Sequence, residues 1–281
     1  MADIRVENVS YVYSEGTPFS VKALDNVSFS IGSGKITGVI GHTGSGKSTL
    51  VQMFNGLVKP SAGRILLDGK DIWEKGKKMQ DLNFKVGLVM QYPEYQLFEE
   101  SVIKDIAFGP RNMGLSEEEI NERVMYGVRF CGIEKDILEK SPFDLSGGQK
   151  RRVAIAGVMA MKPDVLVLDE PAAGLDPMGR EEILMGIRSF QRETGTTVVI
   201  VSHSMEDMAK YCDDTVVMAG GKVFMQGSKE EIFAREAELS DIGLSIPEIT
   251  SLLHILKENG LPIDGEYYTV EEAADAISKL L

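Results

Sequence analysis

The sequence predicts an α/β fold: a largely parallel sheet covered by helices, with antiparallel strands before it, a helical insertion within it and a small helical appendage after it. Three observations carry this. The runs VLVLD at Val165 to Asp169 and TVVIVS at Thr197 to Ser202 are nearly all apolar and alternate with helical segments, as strands buried on both faces of a parallel sheet do. A glycine-rich run, Gly41 to Thr49, stands between a short apolar strand and a helix. From about Tyr92 to Met161 the spacing is helical, with no convincing strand.

Taken in order, IRVENVSYVY and ALDNVSFSI alternate apolar and polar residues between Ile4 and Ile31, with SEGTPFS between them. That pattern predicts two antiparallel strands and a loop. ITGVIG follows as a buried strand, runs into GHTGSGKST, and LVQMFNGLV continues as a helix. GRILLD (Gly63 to Asp68) and VGLVM (Val86 to Met90) read as further strands. In the insertion, Ser116 and Glu119 form a capping box that opens the helix SEEEINERVMYGVRFCG. After Phe233 the character changes. Pro247 opens a helix with Ile249, Leu252, Leu253 and Leu256 on one face and Gly260 at its end, and Thr269 with Glu272 makes a second capping box. The expected organisation is one domain over 1–233, containing a helical subdomain at about 92–161, and an appendage over 234–281 with a dimerisation or regulatory role.

Composition narrows the classes of function. The 281 residues carry a formal net charge of -13, which opposes binding to phosphate backbones, so no nucleic-acid partner is expected. The nearest basic cluster, Lys75 to Lys78, reads as a solvated loop. The longest apolar stretch, Val153 to Met161, falls far short of the roughly 20 residues a membrane-spanning helix needs. The start MADIRVENVS has no secretory character, and a cytoplasmic location is expected. Cys131 and Cys212 stand at no metal or redox spacing.

Gly41, His42, Thr43, Gly44, Ser45, Gly46, Lys47, Ser48 and Thr49 match the phosphate-binding P-loop between strand and helix. Its glycines let backbone N–H groups and the helix N-terminus face a polyphosphate. Lys47 is placed to reach the β- and γ-phosphates of a bound nucleotide, and Ser48 to offer a hydroxyl to Mg2+. VLVLDE ends a parallel strand in Asp169 and Glu170, where ligand sites of such sheets lie. Asp169 suits Mg2+ through water, and Glu170, pointing differently, suits polarising the attacking water. A second anion site follows from LSGGQ at Leu145 to Gln149: Ser146 offers a hydroxyl, Gly147 and Gly148 offer unobstructed N–H groups, and a helix beginning near Lys150 adds its positive end.

With LSGGQ just upstream of a strand ending in Asp-Glu, the chain resembles the ATP-binding cassette (ABC) family over about Ile4 to Phe233. The resemblance implies a P-loop ATPase fold and further roles. Tyr13, with Tyr11 as its alternative, matches the aromatic that stacks on adenine. Gln91 matches the glutamine that reaches Mg2+ and the lytic water and senses the membrane partner. Asp176 in AAGLDP matches the loop that crosses between subunits, and His203 the histidine that touches the γ-phosphate. Ser146, Gly147, Gly148 and Gln149 join the nucleotide contacts, His42 is a local or adenine-side contact, and His254 has no counterpart. Ala172 stands where the family commonly has Thr or Ser, a departure that touches no phosphate, magnesium or water contact.

The stretch YPEYQLFEESVIKDIAFGP after Gln91 resembles the ATPases of energy-coupling factor transporters, which import vitamins and transition metals. GHTGSGKST and RRVAIAGVMAMKPDVLVLDEPAAGLDP resemble the second of their two paralogous ATPases. This implies a dimer with the paralogue or with itself, a transmembrane T subunit, a substrate-binding membrane S component, and a peripheral place on the cytoplasmic face of the membrane. Tyr95, Leu97 and Phe98 are expected to line a groove for a helix of the membrane subunit. The alternative, a soluble ABC ATPase outside transport, would be expected to show a coiled-coil insertion or two cassettes, and neither is present.

Overall fold

The computed structural model describes residues 2–74, 76 and 78–280, so Lys75 and Lys77 of the basic run lie outside the described residues. The chain begins with β1 (Ile4–Tyr13) and β2 (Val21–Ile31), paired antiparallel with Ile4 opposite Ile31, and β3 (Ile36–Ile40) follows. Next come α1 (Lys47–Phe54), β4 (Ala62–Leu67), β5 (Lys70–Asp71), α2 (Met79–Lys85) and β6 (Val86–Val89). Helices α3 (Val102–Asn112), α4 (Glu117–Phe130) and α5 (Gly147–Ala160) precede β7 (Val165–Asp169), α6 (Pro177–Thr194) and β8 (Thr197–Val201). The remainder is α7 (Met205–Tyr211), β9 (Asp214–Ala219), β10 (Lys222–Ser228), α8 (Lys229–Phe233), α9 (Glu236–Asp241), α10 (Glu248–Glu258) and α11 (Val270–Ser278).

Two sheets result. One has the order β2-β1-β4-β5, all antiparallel; the other runs β10-β9-β3-β8-β7-β6, parallel except for β10 at its edge. Register brings the carboxyl ends of three neighbouring strands level, because Val39 pairs with Val201 and Val201 with Asp169. The P-loop, Asp169 and the residues after β8 therefore leave the sheet side by side. Alternation along the strands feeds two cores. Leu166, Leu168, Val198 and Ile200 pack with the helices of one face, while Val165, Val167, Val199 and Val201 pack with α1 and the antiparallel sheet on the other.

Between β6 and β7 no strand forms, and α4 packs so closely on α5 that a Cβ at Gly127 would lie 2.5 Å from the Ala156 carbonyl oxygen. The capping boxes expected at Ser116 and Thr269 are both present. Four readings are corrected. The first helix ends at Phe54, because Gly56 turns the chain with φ 77, so Leu57 and Val58 lie outside it. The signature helix starts at Gly147 and not near Lys150, because Ser146 caps it. Strands β9 and β10, joined through Gly220 and Gly221, extend the sheet beyond the strands that the sequence predicts. On α10, Leu253 is buried with Ile249 and Leu256 packed beside it, but Leu252 is 48% exposed and not part of the buried face.

The C-terminal helices have a small core of Leu253, Ile263 and Ala273, while Leu239, Ile246 and Tyr268 join the main core. His254 on α10 ties this region together, with Glu236 3.0 Å from its Nδ1 and Glu266 2.7 Å from its Nε2. Among the described residues no helix is long and apolar enough to cross a membrane.

Candidate functional site

The loop after β3 is shaped by tight approaches. Gly46 has φ 97 at the start of α1, and a Cβ there would lie 2.6 Å from the Ala23 carbonyl oxygen, which excludes any side chain. Lys47 is buried, and its Nζ donates to the carbonyls of Gly41 at 2.7 Å and His42 at 3.0 Å. Those bonds use two of its three N–H groups and leave one for a ligand in the cleft that Lys47 lines. Burial lowers its pKa, opposed by the nearby charges of Glu170 and Asp169. Ser45 is fully buried beneath the loop with an unpartnered Oγ.

Asp169, at the end of β7, is buried, and its hydrogen bond with Ser48 only partly offsets the rise in pKa that burial causes. Glu170 turns away from it because its backbone is left-handed, φ 53, with its N–H held by the Val201 carbonyl at 3.0 Å. A non-glycine residue in that region stores strain that the surrounding structure must hold, a pattern common at functional sites. Burial, and then the neighbouring Asp169, push the Glu170 carboxyl up to about 7. His203 lies in the turn after β8, its Nε2 3.2 Å from Glu170 Oε1, and burial followed by the Lys47 charge lowers its pKa.

These groups share a cleft of about 430 Å³ lined by Tyr13, Thr43, Gly44, Gly46, Lys47, Ser48, Thr49, Gln91, Asp169, Glu170 and His203. Tyr13 is 42% exposed and its hydroxyl is 2.9 Å from Thr49 Oγ1. Tyr11 is instead packed against the core beneath the antiparallel sheet, edge-on to Tyr13. Lys22 and Ala23 on β2 also line the cleft, contributions with no motif to announce them. Gly41 and Ser45 lie buried behind the lining, and His42 faces outward, bonded to the Thr43 carbonyl.

Ser146, Gly147, Gly148, Gln149 and Asp176 do not line this cleft. Ser146 caps α5: its Oγ accepts from Gln149 N at 3.3 Å, and Gln149 Oε1 accepts from Ser146 N at 3.0 Å. The Ser146 hydroxyl hydrogen remains available to a ligand. A Cβ at Gly147 would meet nothing within 4 Å, so nothing within this chain requires glycine there on steric grounds. Helices α4, α8 and α11 each carry two or three acids in the first turn, which oppose their positive ends; α1 and α5 carry none, and α6 carries none but has the Asp176 carboxylate as its cap. Asp176 caps α6 by accepting from Gly179 N at 2.7 Å.

On the far side of Glu170 a second cavity of about 320 Å³ is lined by Pro171 to Leu175, Arg180, Ser202, His203, Ser204 and Asp207, with Arg180 and Asp207 paired at 2.7 Å. Sequence reasoning missed Arg180 and Asp207, whose partnership across 27 positions no local pattern reveals. Past Gln91, Tyr95 is 84% exposed and Phe98 stacks edge-on with Phe108 on the surface. Leu97 is only 9% exposed and belongs to the main core, which corrects its expected place in a groove.

Residues 24–173 match the ABC transporter family model. The chain is 53% identical over 278 residues to the energy-coupling factor transporter ATP-binding protein EcfA2 of Caldanaerobacter subterraneus subsp. tengcongensis, covering 99% of this chain and 97% of that one. It is also 53% identical over 279 residues to the protein of the same name from Clostridium acetobutylicum, covering 99% and 98%. Among solved structures it is similar to cbiO1 from Clostridium perfringens, part of the ABC transporter complex cbiONQ, with TM-score 0.76, 42% identity, and 90% and 98% of the two chains covered. It is similar too to a dimeric structure of the ATP-binding cassette MJ0796 bound to ADP and Pi, with TM-score 0.72, 26% identity, and 80% and 98% covered.

Proposed function

This chain belongs to the ABC transporter family as an ATPase subunit of the energy-coupling factor type, and on that premise we propose that it hydrolyses ATP at sites shared between two cassettes. The observation that carries the shared site is the start of α5, capped by the neutral Ser146, with no acid in its first turn, outside the cleft and with open space over Gly147. A γ-phosphate held by the P-loop of one subunit would meet Ser146 and Gly147 of the other. The dimeric cassette similar to this chain, bound to ADP and Pi, supports the pairing. The first experiment is ATP hydrolysis by the purified transporter, with Glu170→Gln expected to bind ATP and not turn it over.

In this reading Tyr13 stacks on adenine, and Lys47 holds the β- and γ-phosphates. Glu170 Oε accepts the proton of the attacking water as its oxygen bonds to the γ-phosphorus and the bond to ADP breaks, giving ADP and phosphate. His203, with its lowered pKa, is neutral at physiological pH and orients the γ-phosphate beside Glu170. Ser48, Asp169 and Gln91 present hydroxyl, carboxylate and amide oxygens on one cleft, the hard donors Mg2+ prefers, and Ser48 is already bonded to Asp169. Bound there, Mg2+ would neutralise charge on the phosphates.

In this reading the exposed Tyr95 and Phe98 receive a helix of a transmembrane T subunit, and the chain works at the cytoplasmic face of the membrane. The second cassette is a paralogue or another copy, and a membrane S component supplies the substrate, a vitamin or transition metal ion. The C-terminal helices serve dimerisation or regulation. Co-purification in mild detergent tests this assembly, because a soluble ABC ATPase outside transport would bring no membrane protein with it.

A further inference from the structure

Arg151 lies one turn into α5, four residues past Gly147, and its side chain is 4% exposed. Its Nε and Nη2 donate to the Glu94 carboxylate at 3.1 to 3.3 Å, and its Nη1 donates to the Ala173 carbonyl. Three segments therefore meet on one guanidinium. Glu94 sits in the Pro93–Gln96 turn, between Gln91 on the cleft and the exposed Tyr95. Ala173 belongs to the loop leaving Glu170, and its N–H donates to the Glu170 carbonyl at 3.2 Å. Arg151 itself rides on the helix that Ser146 caps.

A buried ion pair adds little net stability over a well-packed apolar pair, because desolvation offsets the attraction. Direction is what this one supplies: a planar, rigid fork fixes both the carboxylate and the carbonyl it holds. We propose that Arg151 is a positioning residue for hydrolysis, setting the Glu170 loop through Ala173 and locking that loop to the Tyr95 segment through Glu94. The start of α5, the Glu170 loop and the docking segment then move as one body. This rests on the roles assigned above to Glu170 and to the Tyr95 surface.

The test uses the intact transporter complex and compares Arg151→Lys, Glu94→Gln, and the exchanged pair Glu94→Arg with Arg151→Glu. Arg151→Lys is expected to lower kcat on the order of tenfold to a hundredfold, the scale that a misplacement of about 1 Å costs, with the KM for ATP unchanged. The exchanged pair restores the ion pair, so its thermal midpoint should recover toward wild type. Its kcat should stay low, because a carboxylate at that position cannot donate to the Ala173 carbonyl. Recovery of kcat together with the midpoint would show a merely structural pair and overturn the proposal, as would a raised KM with kcat intact in Arg151→Lys. If the exchanged pair fails to fold, the single variants decide. Glu94→Gln leaves the Ala173 bond in place, so it should lose less kcat than Arg151→Lys even where its midpoint falls as far; equal or reversed losses overturn the role. Absence of Glu170-dependent hydrolysis in the wild type would show first, and would remove the underlying reading itself.

Discussion

His203 Nε2 lies 3.2 Å from Glu170 Oε1, yet that oxygen has no hydrogen-bond partner, so the two groups are close without being aligned to share a proton. Burial disfavours the charged form of each, raising the pKa of Glu170 and lowering that of His203. Titrating at about 7, the carboxyl is half ionised at neutral pH, while the imidazole, lowered from its ordinary value, is neutral there, unlike an ordinary ion pair. The arrangement leaves Glu170 poised to take a proton from water.

That poise sets a pH profile. Glu170 must be ionised to act as base, so kcat/KM for Mg2+-ATP should fall as pH drops through about 7. Hydrolysis measured across pH 5 to 9, with nucleotide binding followed over the same range, checks it. An acid limb near the ordinary carboxylate range, well below that value, would remove Glu170 from the role.

The same shift predicts a stability effect. Folding raises the Glu170 pKa from 4.5 to about 7, so the folded state holds the proton more tightly and stability is lost as pH rises between those values. Glu170→Gln removes that penalty, which at most amounts to roughly 3 kcal/mol. The variant should therefore unfold at a higher temperature than wild type at pH 8, with the gap closing by pH 4.5. Calorimetric scans at both pH values decide it; a gap that does not change with pH would point to another cause.

Much of the site was legible because its signals are local. Apolar runs marked β3, β7 and β8, and the turn residues that a phosphate loop demands lie between Gly41 and Thr49. The hairpin of β9 and β10 had a signal as well. Thr215 to Ala219 is apolar after its first residue, and Gly220 and Gly221, with φ 55 and 75, are the pair a two-residue hairpin turn selects. Arg151 was not legible: a basic residue in a polar helix start reads as solvated, and its burial depends on Glu94, 57 positions away. Leu252 and Leu253 look alike in sequence, and only the packing of Ile263 and Ala273 against one of them decides which is inside. Leu97 likewise sits among exposed aromatics in the sequence, and only its packing into the main core sets it apart from them.

The segment after Gln91 thus divides into two kinds of residue. Tyr95→Glu or Phe98→Glu changes an exposed side chain, so the isolated subunit should fold and bind ATP while transport and assembly with membrane protein are lost. Leu97→Ala removes buried contacts and should cost about 2 to 5 kcal/mol of stability. Denaturant titrations beside detergent co-purification separate these outcomes. Loss of folded protein in the Tyr95 variant would place that residue in the core and remove the docking surface.

Gly147 gives the sharpest test of the shared site. The space over its Cα is open, and it occupies the first turn of a helix with no acid there, where a carboxylate interacts favourably with the positive end. Gly147→Asp should therefore leave the isolated subunit folded and as stable as wild type. Its cost falls on the composite site, where the new carboxylate would meet the γ-phosphate bound by the other subunit. Lys47→Ala fails for a different reason, losing a charged bond to phosphate worth on the order of 1.5 to 3 kcal/mol. Each variant alone should be inactive. In a mixed dimer one site carries both defects and the other carries neither, so partial hydrolysis should return on mixing. Where the working partner is a paralogue, the second substitution moves to the partner's signature motif. Sedimentation in the Glu170→Gln background adds an independent reading, since ATP should then hold the dimer together without turnover. With the true partner present, neither recovered hydrolysis nor ATP-dependent dimers would mean that each cleft works alone, and the glycine at 147 would need another explanation.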